Sequence, residues 1–218
     1  MKIGNLLFVT SSIMLATLPA IGQEANTQVR VKVKGVKLEQ QYTPDFGARN
    51  VTEKRWKPKQ WLEFDTEIDV DIATELGGKE GSYPALDFKY FVGLNQKTKE
   101  GKNIVLTGTL TFENIPASRA GDAIHALAFV TPATLKKALL KDNGGKADVS
   151  AIGLEIHAGG QILTGAFYSS SGSPWWIDAN KQPDSTKFEF QDGTVLPKSK
   201  TPFAPLWGDY DLQSKSQQ

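Results

Sequence analysis

Residues 60–73 read Gln-Trp-Leu-Glu-Phe-Asp-Thr-Glu-Ile-Asp-Val-Asp-Ile-Ala, and this stretch decides the fold class. Apolar side chains occupy every second position from Leu62 to Ile72, interrupted by Thr66, and acidic side chains fill the positions between them. Successive side chains of a strand point to opposite faces, whereas a helix would scatter the acids around its circumference. The pattern therefore predicts a β-strand with one apolar and one acidic face.

The stretch before it, residues 28–41, has the same period with basic residues in place of the acids. Three valines would form one face and three cations the other: Val29, Val31 and Val33 against Arg30, Lys32 and Lys34. After Gly35 the apolar series shifts to even positions, at Val36 and Leu38. A glycine at such a phase change predicts a β-bulge.

Pairing of these two strands would place the cations opposite the acids, each pair contributing about 0.2–1 kcal/mol. A calcium site is the alternative, but carboxylates two positions apart on a strand lie about 7 Å apart. Calcium also usually takes its oxygen ligands from a loop that wraps the ion. We therefore interpret the charges as a structural, solvated charge ladder without a metal, formed by Arg30, Lys32, Lys34, Glu63, Asp65, Glu67, Asp69 and Asp71.

Further strands are predicted between turns that contain glycine or proline. They are residues 86–94, 103–112, 123–131, 149–158 and 161–169, with a short strand at 188–190. One helix is expected after Thr131, which can act as N-cap with Pro132 at the first helical position. Asn143-Gly144 would end this helix, which would cross between the sheets. Strands at regular spacing without interleaved helices predict an all-β sandwich with one short inserted helix.

The N-terminus predicts export. Residues 1–22 combine a basic start, an apolar stretch and a small-residue cleavage signal, so we expect a signal peptide. A domain over residues 23–212 and a flexible tail over residues 213–218 would remain. No long apolar run follows, so we expect no membrane span after cleavage. The protein would lie in the periplasm, at the outer membrane or on the cell surface.

The composition excludes several classes of chemistry. The chain has no cysteine, which removes thiolate metal sites and cysteine nucleophiles. The balance of 25 basic and 24 acidic residues does not favour a nucleic-acid partner. His125 and His157 have no triad context, and no G-x-S-x-G motif is present. We therefore expect structural histidines, no enzyme activity and no cofactor.

The tryptophans are the candidate binding residues. Trp175 and Trp176 follow a Ser/Gly turn, and Trp56 and Trp61 flank a basic Lys-Pro-Lys segment. An exposed tryptophan can stack on a sugar ring or anchor a protein interface. If Trp175 and Trp176 lie on one strand, they point to opposite faces, and one of them belongs to the core. The alternative function is accordingly a secreted carbohydrate-binding module that recognises host glycans.

Three segments resemble a known family. Residues 60–69 (QWLEFDTEID), 87–94 (DFKYFVGL) and 128–137 (AFVTPATLKK) are similar to the immunoglobulin-like, pilus-like proteins encoded in the outer-membrane pilus gene cluster of mucin-associated verrucomicrobia. The resemblance would cover nearly the whole mature chain. It implies an immunoglobulin-like β-sandwich related in fold to archaeal type IV pilus subunits.

The same resemblance implies a function without catalysis. The protein would be a structural or adhesive component of the cell envelope that forms a homo-oligomer or assembles with other pilus-like envelope proteins. Ordinary type IV pilins keep an apolar N-terminal helix after processing, and here no such helix would survive cleavage. Pairing of strands or surface patches would then have to replace helix packing.

Overall fold

The computed structural model describes residues 28–47, 57–120 and 122–215, so the predicted signal peptide lies outside the described residues. The elements follow in the order β1 (Val29–Tyr42), β2 (Gln60–Ile72), β3 (Ser82–Lys97), β4 (Asn103–Pro116), β5 (Ile124–Val130), α1 (Pro132–Leu139), β6 (Val149–Ala158), β7 (Gln161–Ser169), β8 (Phe188–Gln191) and β9 (Val195–Pro197). Strands dominate, as predicted from the period-two pattern.

The strands form two sheets that face each other. Sheet A has the order β1-β2-β5-β9, and sheet B has the order β7-β6-β3-β4-β8. All neighbours are antiparallel except β4 and β8, which are parallel. The predicted all-β, immunoglobulin-like sandwich with one short helix is confirmed.

The main core fills the space between the sheets. The alternating apolar residues of β2, from Leu62 to Ile72, are at most 9% exposed. Thr66 interrupts this apolar series because its hydroxyl lies 2.8 Å from the Tyr90 hydroxyl of sheet B. Burial of two hydroxyls is tolerated when each bonds to the other, so this pair links the sheets across an otherwise apolar interior.

The N-terminal hairpin confirms the predicted bulge. Strands β1 and β2 are antiparallel, and their register shifts between Val33 and Gly35. Lys34 is therefore the extra residue on β1, and the shift returns the later apolar residues Val36 and Leu38 to the core side. Without it, the second half of β1 would turn its apolar residues outward.

Helix α1 starts where predicted and ends earlier than expected. The Thr131 hydroxyl accepts a hydrogen bond from the Thr134 N–H, and Pro132 occupies the first turn. The helix ends at Leu139, followed by Leu140 in the left-handed region at φ 55°, so the prediction of an end at Asn143-Gly144 is wrong. The helix connects β5 of sheet A to β6 of sheet B, which is the predicted crossover.

The C-terminal third covers the outer faces of the sandwich. Residues 174–190 place Trp176 against Phe91 and Val105 on the outside of sheet B. Residues 198–212 place Phe203 against Leu127 and Phe129 on the outside of sheet A. Central strands of both sheets are therefore apolar on two faces, and Leu127, Phe129 and Phe91 are nearly inaccessible.

Residues 213–215 are hydrogen-bonded to β4. The Gln213 carbonyl accepts from the Glu113 N–H, and the Lys215 N–H donates to the Thr111 carbonyl. A flexible tail from residue 213 is therefore wrong for residues 213–215, because their backbone pairs with β4. Residues 216–218 lie outside the described part of the chain.

Candidate binding sites

The charge ladder lies on the outer face of the β1–β2 hairpin. Arg30 stands opposite Asp71, and Lys32 stands opposite Asp69. The bulged Lys34 places its Nζ 3.0 Å from Asp69 and 3.4 Å from Glu67. These side chains are about half exposed, so water and salt screen their attraction.

The acidic end of the ladder departs from the prediction. Glu63 stands opposite Glu39, a like charge, and only 6% of Glu63 is exposed. Asp65 is covered as well, because His125 and Tyr210 hydrogen-bond its two carboxylate oxygens at 2.7 and 2.6 Å. A solvated ladder is therefore wrong for Glu63 and Asp65, since the C-terminal segment covers this end of β2.

Trp176 is a core residue, which corrects its prediction as a binding residue. Its side chain is fully buried and stacks on Phe91 with ring centroids 4.8 Å apart and planes at 14°. Its indole N–H donates to Glu155 at 2.8 Å. The tandem tryptophans lie in a turn, not on a strand, and Trp176 is drawn inward because Gly153 of β6 leaves room for the ring.

Trp175 lies half-buried at the edge of a groove of about 440 Å³. Its ring packs edge-on against Trp176 and Phe188, with centroids 5.5 and 5.3 Å away. Small and polar residues form the remaining walls, including Gly93, Asn95, Asn103, Ser150 and Ser171. An indole beside amides and hydroxyls is the combination that binds polar ligands with an apolar face, such as sugars.

The other two tryptophans that were predicted to bind do not line this groove. Trp61 is half-buried, packs edge-on against Phe203 at 5.7 Å, and donates its indole N–H to the Thr43 hydroxyl at 3.0 Å. Trp56 lies outside the described residues.

Trp207, which was not among the predicted binding residues, is 39% exposed. Its φ of 53° is unusual for a bulky residue and orients a turn of the C-terminal segment.

Trp207 belongs to a second cavity, of about 560 Å³, on the outer face of sheet A. Strands β1, β2 and β5 form the floor, and the C-terminal segment forms one wall. Its residues combine acids with apolar and aromatic groups: Lys37, Glu39, Gln41, Glu63, Asp65, Leu127, Trp207, Asp209 and Tyr210. We call this the acidic cavity.

A hydrogen-bonded cluster fixes the wall of the acidic cavity. Tyr210 stacks on His125 with centroids 4.4 Å apart and donates its hydroxyl to Asp65. Burial and this donation raise the pKa of Tyr210, so the phenol stays protonated. Tyr210 is therefore a hydrogen-bond donor in this cluster rather than a phenolate nucleophile, and Asp65 lies in hydrogen-bond contact with both His125 and Tyr210.

A buried ion pair anchors the same segment. The Lys198 ammonium donates to Asp211, and both residues are less than a tenth exposed. Lys198 also donates to the Leu206 carbonyl at 2.8 Å, closing the loop between them. Burial raises the pKa of Asp211, while Lys198 opposes that shift. Loss of either partner would leave the other charge buried and unpaired.

Comparison with known proteins supports the resemblance seen in the sequence. A family model matches residues 22–218. The chain belongs to a pilus-associated protein family. The match to this family covers every strand and both cavities. No curated protein sequence matches the chain.

One solved structure of similar fold comes from Akkermansia muciniphila. The TM-score is 0.71, the sequence identity is 23%, and the match covers 88% of this chain and 95% of that chain. The family membership of this chain and the shared fold agree with each other. Within the described residues, no helix has the length and apolar character needed to cross a bilayer.

Proposed function

We propose that this chain is an exported, non-enzymatic structural or adhesive subunit of a pilus-like assembly in the cell envelope. The observation that carries the proposal is the family match from residue 22 onward, which begins where the predicted signal peptide ends. Like subunits or other pilus-like envelope proteins would be its partners.

Strand β7 offers a surface for such association. It is an edge strand of sheet B that lies beside β1 of sheet A, and it presents Ile162 and Phe167 to solvent, at 50% and 38% exposure. Exposed large apolar side chains on an edge strand are suited to contact with another chain. We propose that this surface replaces the helix packing of ordinary pilins.

Self-association of the exported protein tests this proposal. We would express the full chain with its N-terminal segment, purify the processed form from the envelope, and measure its mass by light scattering over a concentration series. The proposal expects oligomers that Phe167→Lys weakens and that Thr109→Lys, an exposed polar position on β4 away from this strand, leaves intact. A strict monomer that also cross-links to no envelope protein in cells would contradict it.

A second candidate function is glycan binding in the groove beside Trp175. The half-buried indole and the surrounding amide and hydroxyl side chains favour it. Titration of mucin oligosaccharides should quench tryptophan fluorescence in the native protein. Asn95→Ala should weaken binding, whereas Asn180→Ala, in an exposed turn that does not line the groove, should not. Equal binding by both variants, or none by the native protein, would contradict glycan recognition at this groove.

A further inference from the structure

The acidic cavity contains a polar group without a partner. Glu63 is 94% buried, and its Oε2 accepts no hydrogen bond from any residue that the structure describes. Burial and the neighbouring acids raise the pKa of the Glu63 carboxyl, and the nearby Gln41 amide opposes this shift. A buried carboxylate oxygen left unpaired costs free energy, which a donor entering the cavity would recover.

The charge of the cavity favours a positively charged donor. Four acids line it, namely Glu39, Glu63, Asp65 and Asp209, against the single ammonium of Lys37. Lys37 and Lys146 are both committed to Glu39, at 2.8 Å from Oε1 and 3.5 Å from Oε2. In the described part of the chain, Glu63, Asp65 and Asp209 have no lysine or arginine ion pair, so the excess negative charge of the cavity is theirs. An anion would meet repulsion here, whereas a cation would find compensation for the excess negative charge.

The remaining walls favour a cation that is carried on an apolar stem. Leu127 lies beneath the cavity but is only 1% exposed, whereas the Trp207 and Tyr210 rings at the side are 39% and 45% exposed. Both rings are held in place, Trp207 by stacking on Phe203 at 6.0 Å and Tyr210 by stacking on His125. Aromatic faces attract organic cations, and they also give an alkyl chain an apolar surface to pack against. No set of three metal-binding side chains converges in the described part of the molecule.

We infer that the acidic cavity binds an ammonium or guanidinium group on an alkyl chain, as presented by a lysine or arginine side chain of a protein partner. The cation donates to Glu63 Oε2, and its stem packs against the Trp207 and Tyr210 rings. The inference goes beyond the proposed function and stands whether or not the chain associates with copies of itself.

The test uses Nα-acetyl-lysine amide as the probe and its uncharged norleucine counterpart as the matched ligand. Nuclear magnetic resonance of the Trp207 indole N–H in the isotope-labelled full chain would report binding at this site. We expect saturable binding of the lysine probe and binding of the norleucine compound weaker by about tenfold or more, because a charge-assisted hydrogen bond is lost. Equal shifts with both compounds, or no saturable shift, would overturn the inference.

Two variants locate the cation. Glu63→Gln keeps the shape and removes the charge, so it should weaken the lysine probe about tenfold. Glu113→Gln, which alters a half-exposed acid on β4, should leave affinity unchanged. If Glu63→Gln failed to fold, Asp209→Asn at the exposed rim would replace it and should weaken the probe to a smaller extent. Unchanged affinity in either cavity variant would refute the site.

A glucosamine titration distinguishes the source of the cation. Amino sugars carry an ammonium group directly on a polar ring and have no alkyl stem to pack against the Trp207 and Tyr210 rings. The inference expects glucosamine to bind more weakly than the lysine probe. Tighter binding of glucosamine that Glu63→Gln abolishes would overturn the assignment to a protein side chain.

Discussion

Replacement of the buried indole by Trp176→Ala should strongly destabilise the fold. The ring is fully buried and stacked on Phe91, and it lies directly on the backbone of β6, where a Cβ added to Gly153 would come within 2.4 Å of it. Removal of a core tryptophan costs about 3–5 kcal/mol, because transfer energy is lost and a cavity remains. The Glu155 carboxylate loses its hydrogen bond from the indole N–H but keeps a contact with His157 at 3.1 Å. The lost hydrogen bond therefore adds little to the destabilisation.

The expected total is about 4 kcal/mol, a large share of the 5–15 kcal/mol typical of a domain. For a domain of this size it corresponds to a decrease in Tm of about 8–16 °C. Urea unfolding followed by circular dichroism would measure it, since fluorescence changes with the number of indoles. Trp175→Ala, at the half-exposed neighbour, is the matched control and should cost less than half as much. A loss under about 1 kcal/mol for Trp176→Ala would refute the assignment of this ring to the core.

Three further perturbations probe the regions around the two sites. The folded pKa of Glu63 is raised, so the folded state keeps the proton after the unfolded chain has lost it, and stability falls as the pH rises from the unfolded pKa through the folded pKa. Glu63→Gln should remove this decline. Parallel pH profiles of the urea midpoint in the native protein and the variant would contradict the prediction. Lys198→Met should cost about 3–5 kcal/mol because Asp211 is left buried and unpaired, and the double variant with Asp211→Leu should recover most of it; equal losses in urea unfolding would refute the pairing. Gly108→Ala should destabilise by about 1–3 kcal/mol or more, because its Cβ would lie 2.2 Å from the Val195 carbonyl of β9; an unchanged thermal midpoint would show that β9 does not approach β4 so closely.

The sequence was informative where periodicity acts locally. The alternation in residues 60–73 predicted β2, the phase change at Gly35 predicted the bulge, and Thr131 with Pro132 predicted the start of α1. Each depends on neighbours within a few positions, so no tertiary information is required. Strand β9 was missed because it has three residues and ends in Pro197, too short to show a period.

The covering of the outer faces could not be read from the same patterns. Trp176 lies in a turn without periodicity, and its burial depends on Phe91 and Gly153, which are distant in sequence. A signal did exist, because Gly153 interrupts a strand and a glycine there often marks close approach of another group. The acidic cavity joins Asp65 to Tyr210 across 145 positions, and an alternating pattern gives no information on such a contact.

The covered faces limit where a partner can bind. An antiparallel sandwich usually exposes the outer face of each sheet, but here residues 174–190 cover part of sheet B and residues 198–212 cover part of sheet A. Both cavities lie where a covering segment meets its sheet, and each has a tryptophan from that segment in its wall. The turns that carry Trp175 and Trp207 are held by buried neighbours, so the two rings are already positioned before a ligand arrives. Binding then requires little ordering of the site, which is the condition under which a few well-placed groups give useful affinity. The C-terminal third therefore has two roles that follow from one arrangement: it completes the core, and it forms the surfaces through which the sandwich can contact other molecules.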